Sequence, residues 1–263
     1  MKKNITSVSI IGTGNVGWHL AIALFKSGIE IRHIIARSSA KAGELARIVD
    51  ASPVANFTDI IKHPDMYLVC VSDDAIPGVV DIIGDSGAVI VHTSGSTGFE
   101  VFTHVKENYG VFYPLQTFTR GNEMNYQEIP FLVEGDSKKV VEMLKGLADT
   151  ISGISREADS EMRKKIHIAA VFACNFSNHL AAVAETILKE SGLEVDLLFP
   201  LMKETYRKII HIGPLKAQTG PAARNDTNMI GSHLDALVDF PEELKMYKIL
   251  TDNIIRYRKK QNE

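Results

Sequence analysis

The feature that most constrains the fold is a glycine motif close to the start of the chain. An apolar run, Ser7 to Ile11, leads into Gly12-Thr13-Gly14-Asn15-Val16-Gly17, which has the spacing G-x-G-x-x-G. A predicted helix, Trp18 to Ser27, follows, and a second predicted strand runs from Ile29 to Ala36. This strand, helix and strand form the context in which the motif binds a dinucleotide. They favour such a site over an ordinary glycine-rich turn.

Each glycine of the motif has a separate expected role. Gly12 permits the tight turn, Gly14 lets the backbone approach a pyrophosphate, and Gly17 lets the helix pack closely on the strand. The amides around Asn15 and Val16 lie at the positive end of the helix and are expected to point at the phosphates. These five residues are the predicted pyrophosphate site.

The end of the second predicted strand indicates which dinucleotide is bound. A site that prefers NAD usually places Asp or Glu there, bonded to the ribose 2′-hydroxyl. This chain has Arg37, Ser38 and Ser39 instead. An arginine and two hydroxyls can hold a 2′-phosphate, so the sequence favours NADP over NAD. The alternative is an ordinary arginine at a strand end, with serines that cap the next helix.

Composition narrows the range of partners. The chain has 263 residues, of which 45% are hydrophobic and 23% charged, and its net charge is −3. This balance gives no electrostatic basis for binding nucleic acid or an anionic membrane. We expect no membrane span, because no apolar run approaches roughly 18 residues, and no signal peptide before the first strand. Cys70 and Cys174 lack metal-ligand spacing. We expect a cytoplasmic protein without a metal site.

The pattern of predicted elements changes near the middle of the chain. Strands and helices alternate up to about residue 155, which predicts an α/β fold with a doubly wound sheet. From about residue 156 onward only helices are predicted, beginning with one long helix from Glu161 to Glu190. The expected domains are therefore a dinucleotide-binding domain, 1–155, and an all-helical C-terminal domain, 156–263.

Candidate site residues follow the predicted strands, on the edge where ligands of such sheets lie. Ser72 and Ile76 are expected beside the adenine-ribose half of the cofactor. His92 begins a loop of small hydrogen-bonding residues and is a candidate proton donor, or else a structural histidine. Tyr113 and Gln116 follow the next strand, where either one can bind a substrate or hold the loop.

The helical half contributes further candidates. His167 and Asn175 share one broad face of the long helix by helical spacing, among apolar neighbours. We expect this face to line a cleft opposite the nicotinamide, although a lone helical histidine is more often structural. Arg224 lies in a polar loop and can bind a substrate carboxylate or phosphate, while Asp226 is expected to cap the next helix.

Three blocks together resemble a known family: the glycine motif, the pair His92-Thr93-Ser94-Gly95 and Pro114-Leu115-Gln116-Thr117-Phe118, and Thr219-Gly220-Pro221-x-x-Arg224-x-Asp226. The chain resembles, over nearly its whole length, the bacterial Rossmann-like NADP oxidoreductases with a C-terminal helical domain of unknown function. It is more remotely similar to pyrroline-5-carboxylate reductase and the 6-phosphogluconate dehydrogenase group. The resemblance implies a homodimer in which the helical domain completes the active site.

The chain departs from the family pattern at two positions. Tyr113 stands where the family commonly has a histidine, which weakens any mechanism that needs an imidazole there. Asn225 stands where a glycine is common, a mild change because Asn tolerates left-handed geometry. The resemblance supplies no secure match for a catalytic lysine.

The leading hypothesis is therefore an NADP-dependent oxidoreductase that acts on a small polar metabolite between the domains. His92 or His167 would donate the proton, Asn175 and Gln116 would orient the substrate, and Arg224 would bind an anionic group. The alternative is a sensor or regulatory subunit that binds NADP(H) without turnover, since a fold alone does not establish chemistry.

Overall fold

The N-terminal part of the chain forms one eight-stranded sheet, with strand order β3-β2-β1-β4-β5-β6-β7-β8. The structure is a computed structural model that describes residues 4–57, 60 and 62–262. Neighbouring strands are parallel except at the β6–β7 pair, which is antiparallel. The strands are β1 Ser7–Ile11, β2 Glu30–Ile35, β3 Ser52–Val54, β4 Met66–Val69, β5 Val89–His92, β6 Tyr109–Pro114, β7 Phe131–Gly135 and β8 Ser155–Glu157.

The helices alternate with the strands at first and then continue alone. Those that alternate with the strands are α1 Asn15–Lys26, α2 Ser39–Ile48, α3 Ile76–Ile83 and α4 Lys138–Ile151. Those that follow are α5 Ser160–Ala170, α6 Ser177–Glu190, α7 Phe199–Ile212, α8 Pro214–Ala217, α9 Pro221–Arg224, α10 Thr227–Ala236 and α11 Pro241–Asn262. The predicted α/β class, with a doubly wound sheet followed by helices, is confirmed.

Burial on both faces explains why the central strands are so apolar. All residues of β1, β4 and β5 are buried, and helices cover the sheet on both sides. Parallel strands bring their carboxyl ends to one edge, so the loops after β1, β4, β5 and β6 meet there. The short strands β3 and β8 carry too little pattern to be predicted from sequence.

The chain divides into two compact units, Met1–Asn175 and Phe176–Glu263. The first unit holds the sheet and also α5, so this division falls within the long helix rather than before it. The domain boundary predicted near residue 155, where the pattern changes to helices alone, stays a prediction. In the second unit, the described residues that are buried are Ala222 and Thr251.

The predicted long helix contains an unexpected turn. Residues Val171–Phe176 form a π-helical segment between α5 and α6. The helical stretch Ser160–Glu190 contains an 18-residue window with mean hydropathy 1.3, so it is long and apolar enough to cross a membrane by length and composition alone, and none of that window is buried. This differs from the expectation that the chain has no such run, because the apolar residues between the histidines and asparagines keep the average over 18 residues high. Apolar helices that pack against protein meet the same test.

Candidate active site

The loop between β1 and α1 has the geometry of a phosphate cradle. Gly12 has φ +107°, and a Cβ there would lie 2.3 Å from the carbonyl oxygen of Cys70. A Cβ on Gly17 would lie 2.2 Å from the carbonyl oxygen of Gly12, so α1 packs directly on the turn. At Gly14 the same atom would meet nothing within 4 Å. Two glycines are thus required by the fold, and the third leaves space beside the start of α1.

That space belongs to a cavity of about 420 Å³ at the carboxyl edge of the sheet. The cavity receives residues from the loops after β1, β4, β5 and β6 and one side chain from α5. Its lining comprises Gly14, Asn15, Val16, Cys70, Val71, Ser72, Asp73, Thr93, Ser94, Gly95, Ser96, Tyr113, Pro114, Gln116 and His167. The structure therefore brings together six predicted site residues: Gly14, Asn15, Val16, Ser72, Gln116 and His167.

Two titratable side chains meet at one wall of the cavity. The Tyr113 hydroxyl lies 3.0 Å from Nδ1 of His167, and the two rings meet edge to face at 6.0 Å. Burial raises the pKa of Tyr113 above its ordinary value of 10, although the nearby Arg163 opposes this shift. The phenol therefore stays protonated at neutral pH and can donate a proton. The residue that departs from the family pattern thus contacts the predicted histidine.

The loop after β5 supplies small groups around this pair. Ser94 Oγ accepts the backbone N–H groups of Ser96 and Thr97, at 3.1 and 3.0 Å. Ser96 Oγ in turn donates to Asp73 Oδ2 at 2.6 Å, which links the loops after β4 and β5. A Cβ on Gly95 would lie 2.6 Å from His167 Nδ1 and 2.9 Å from the Tyr113 ring. Glycine at this position gives the pair its room.

Burial corrects the prediction that His92 donates a proton to the substrate. Its side chain is fully buried, stacked on Phe102 at 5.6 Å, and absent from the cavity lining. Desolvation, reinforced by the charge of Arg163, lowers the pKa of His92 to about 4. Nδ1 accepts the Ser94 N–H at 3.2 Å, so the neutral ring carries its proton on Nε2, which has no hydrogen-bond partner. His92 supports the loop from beneath.

The predicted cofactor residues outside the cavity lie in two environments. Arg37, Ser38 and Ser39 are exposed at the end of β2 and the start of α2. Ser38 caps that helix, accepting the Lys41 N–H at 3.4 Å, as its alternative interpretation stated. The Ile76 side chain is fully buried in a core cluster and is not part of the cavity lining, so its contact with the adenine-ribose half stays a prediction.

Two candidates from the helical half, Asn175 and Arg224, are not among the residues that line the cavity, whereas His167 is. Asn175 is exposed and belongs to the π-helical segment Val171–Phe176, which follows the helix that carries His167. Arg224 is an exposed residue at the end of α9 in the second unit. Asn225 adopts the left-handed conformation, and Asp226 caps α10 by accepting the Met229 N–H at 3.1 Å, as expected.

Sequence reasoning missed a buried cation beneath the site. Arg163 of α5 is 1% exposed and forms an ion pair with Glu134 of β7. It also donates to the carbonyl oxygen of Thr97 at 2.5 Å, which supports the loop that carries Gly95. No local pattern marks Arg163, because it stands near the start of an amphipathic helix among other charged residues. No group of three His, Cys, Asp or Glu side chains suited to a metal ion occurs in the described ranges.

Known proteins match the chain along most of its length. A Rossmann-like domain matches residues 1–116, and the domain of unknown function DUF2520 matches residues 129–254. A crystal structure described as a "putative NADP oxidoreductase" from Bacteroides fragilis is 39% identical, with 96% of this chain and 98% of that chain covered and a TM-score of 0.89. A protein from Thermotoga maritima is 26% identical, with 97% and 100% covered and a TM-score of 0.76.

More distant structures share the fold alone. A reductive aminase from Aspergillus terreus, in complex with a form of NADPH, is 16% identical, with 97% and 95% covered and a TM-score of 0.71. None of the curated proteins compared with the chain matches it. The architecture, the glycine cradle and the 39% identity over nearly all of both chains lead to one conclusion. The chain belongs to the family of Rossmann-like proteins that carry a C-terminal DUF2520 domain.

Proposed function

We propose that this protein is an NADP-dependent oxidoreductase that transfers hydride between NADP(H) and a small polar metabolite. One observation carries the proposal: the space at Gly14 and the Tyr113–His167 pair belong to the same cavity. A dinucleotide held at its diphosphate by the start of α1 would extend along the carboxyl edge of the sheet toward that pair. Binding and proton transfer would then occur in one continuous space.

The described residues fit the cofactor. The cradle leaves room for phosphate at Gly14, and the amides of Asn15 and Val16 lie at the start of α1. Arg37 and Ser39 offer a guanidinium and a hydroxyl where the ribose 2′-phosphate would lie, with no carboxylate in the segment 36–39. The relative from Bacteroides fragilis is itself named for NADP. These points support NADP rather than NAD.

The chain's own residues would manage the proton. When bound, the nicotinamide supplies or accepts the hydride. Tyr113 Oη would protonate the substrate oxygen or nitrogen during reduction, since burial keeps its proton in place at neutral pH. His167 would then pass its Nδ1 proton across 3.0 Å to the Tyr113 phenolate while Nε2 takes up a proton from water, which leaves the imidazole neutral. Gln116 and Ser94 line the same cavity and would orient the substrate by hydrogen bonds.

Turnover and binding test the proposal separately. Calorimetric titration of the purified protein with NADP⁺ and NADPH measures binding, and a screen of oxo acids, aldehydes and imines measures NADPH oxidation. We expect binding together with oxidation of at least one substrate group. Tight binding without any turnover would favour the sensor hypothesis, and no binding would refute both.

The proposal also includes a homodimer in the cytoplasm. The second unit carries large apolar side chains on its surface, among them Ile210 at 77% and Leu201 at 64% exposure. Patches of this kind mark surfaces that another protein covers. A second copy of the chain is the partner that the family resemblance implies. Asn175 and Arg224 remain proposed substrate contacts, which substrate kinetics of Asn175→Ala and Arg224→Ala would test.

A further inference from the structure

The segment after β6 passes over the start of α1 and is fastened there. His19 of α1 is 1% exposed, and its Nε2 donates to the carbonyl oxygen of Thr119 at 2.8 Å. Its Nδ1 accepts the Tyr126 hydroxyl at 3.0 Å, and its ring stacks on Phe118 at 5.1 Å. Both ring nitrogens are satisfied in one neutral tautomer. This fastening places the next residue, Arg120, beside the phosphate cradle.

Arg120 contacts the first turn of α1 and reaches α2. Its backbone N–H donates to Asn15 Oδ1 at 3.2 Å, and its guanidinium lies 4.1 Å from the centroid of the Trp18 ring. Nη2 lies 2.5 Å from Oε2 of Glu44, which stands in the second turn of α2. The cation is therefore held between the two helices whose starts flank the carboxyl ends of β1 and β2.

A dinucleotide presents its phosphates to those two helix starts. The diphosphate binds at the start of the first helix, and the ribose that carries any 2′-phosphate lies at the end of the second strand. We propose that Arg120 is a further cofactor-binding residue, which takes a phosphate of the dinucleotide in exchange for Glu44. This inference rests on the proposed function and adds a second cation to Arg37.

The contacts of Arg120 suit such an exchange. The ion pair is partly exposed, with Arg120 at 28% and Glu44 at 49%, and exposed pairs contribute little net stability. A phosphate offers more negative charge than one carboxylate and accepts the guanidinium fork in a bidentate manner. Stacking on Trp18 fixes the plane of the fork beforehand, so little side-chain freedom is lost on binding.

The competing explanation is that Arg120 only anchors the segment. His19 already fastens that segment through Phe118, Thr119 and Tyr126, independently of the guanidinium. The two explanations also predict opposite signs for one variant. Glu44→Gln removes an anchor but leaves the guanidinium without its carboxylate, so it should strengthen phosphate binding. Loss of a nearby carboxylate also favours a phosphate by itself, so the gain must disappear in the double variant Glu44→Gln/Arg120→Met if Arg120 is the phosphate ligand.

The test compares the dissociation constants of NADP⁺ and NAD⁺ for the full chain and its variants by calorimetry. We expect Arg120→Met to weaken NADP⁺ binding by about tenfold or more, and Glu44→Gln to tighten it by about threefold. An unchanged NAD⁺ affinity in Arg120→Met assigns the contact to the 2′-phosphate, and an equal loss assigns it to the diphosphate. Arg47→Ala, an exposed arginine of α2 one turn beyond Glu44, is the matched control and should change neither constant.

Tyr126→Phe separates charge from anchoring, because it removes a hydrogen bond of the segment without changing any charge. It should leave the NADP⁺ affinity within about twofold of the parent value. A loss equal to that of Arg120→Met, a weaker rather than tighter Glu44→Gln variant, or an unaffected Arg120→Met would each overturn the inference. Failure of the parent protein to bind NADP⁺ would instead refute the proposed function.

Discussion

The two units of this chain bury their apolar side chains very differently. In the first unit the strands β1, β4 and β5 are buried throughout, and three clusters of buried residues cover both faces of the sheet. In the second unit Ala222 and Thr251 are the buried residues among those described. Both units are rich in apolar residues, so composition alone does not distinguish them.

This difference in burial indicates that the two units differ in how they are stabilised. The first unit carries its own core, the glycine turn before α1 and the Tyr113–His167 pair, so its packing does not depend on a partner. The second unit directs side chains such as Ile210, Leu201, Ile249 and Tyr257 outward. Its apolar surface is useful only when something covers it, which the proposed second copy would do. The contrast between a first unit with its own core and a second unit with an exposed apolar surface can be tested by substitution in each unit.

Replacing Gly14 should abolish cofactor binding without harming the fold. Its φ of −71° suits any residue, and a Cβ there meets nothing within 4 Å, so a large side chain enters the space proposed for phosphate. For Gly14→Trp we expect the NADP⁺ affinity to fall by at least ~1000-fold, about 4 kcal/mol, by calorimetry. Gly146→Trp, at another open glycine on α4, is the control and should bind normally. Equal binding by both variants would place the cofactor elsewhere.

Acid should destabilise the first unit through His92. Burial lowers its folded pKa to about 4 from an ordinary 6.5, so the unfolded chain takes up this proton first as pH falls. The stability that a neutral His92 provides is complete above pH 6.5 and is lost down to about pH 4, a change of ~3 kcal/mol. Urea unfolding of His92→Gln should therefore vary less with pH than that of the parent. His104→Gln, an exposed control, should retain the parent slope, and a parent slope in His92→Gln would contradict the burial argument.

Removing the Tyr113 hydroxyl should slow the chemistry and leave cofactor binding intact. For Tyr113→Phe we expect kcat to fall by about 100-fold, because general acid catalysis contributes about 10²–10⁴. His167→Asn should produce a loss of similar size that does not add to the first, since the two side chains act as a pair. Tyr109→Phe, on the same strand but outside the cavity lining, is the control. A larger change in NADP⁺ affinity than in kcat would show that Tyr113 binds rather than reacts.

A charge on the exposed face of the second unit should weaken the dimer. Ile210→Glu leaves a side chain that is 77% exposed in one chain, so it should change the stability of the monomer by less than ~0.5 kcal/mol. Its dimer dissociation constant should nevertheless rise by about tenfold or more. Sedimentation equilibrium measures this constant. Ile82→Glu, at 65% exposure on α3 of the first unit, should leave it unchanged, and equal behaviour of the two variants would remove the contrast between the units.

The sequence predicted those features that depend on local pattern. The glycine spacing predicted the turn before α1, and the apolar runs predicted the strands of the parallel sheet. Each of these signals lies within about a dozen consecutive residues. Arg163 and Arg120 were not predicted, since their partners Glu134 and Glu44 are 29 and 76 positions away and no local pattern joins them. The π-helical segment at 171–176 was missed for a related reason. Spacing along a helix assumes a constant phase, which one wide turn changes.

The Arg163–Glu134 ion pair matters for protein design, because it supports the position of the Tyr113–His167 pair. His167 stands one turn after Arg163 on α5, and Tyr113 lies on β6, whose antiparallel neighbour β7 carries Glu134. The ion pair thus ties the helix that carries His167 to the strand paired with that of Tyr113, and so supports the 3.0 Å separation of the two side chains. A tyrosine and a histidine placed on another doubly wound scaffold would lack the ion pair that supports their spacing in this chain. A design that keeps this spacing therefore needs the antiparallel strand β7 with Glu134, and Arg163 on the facing helix, as well as the pair itself.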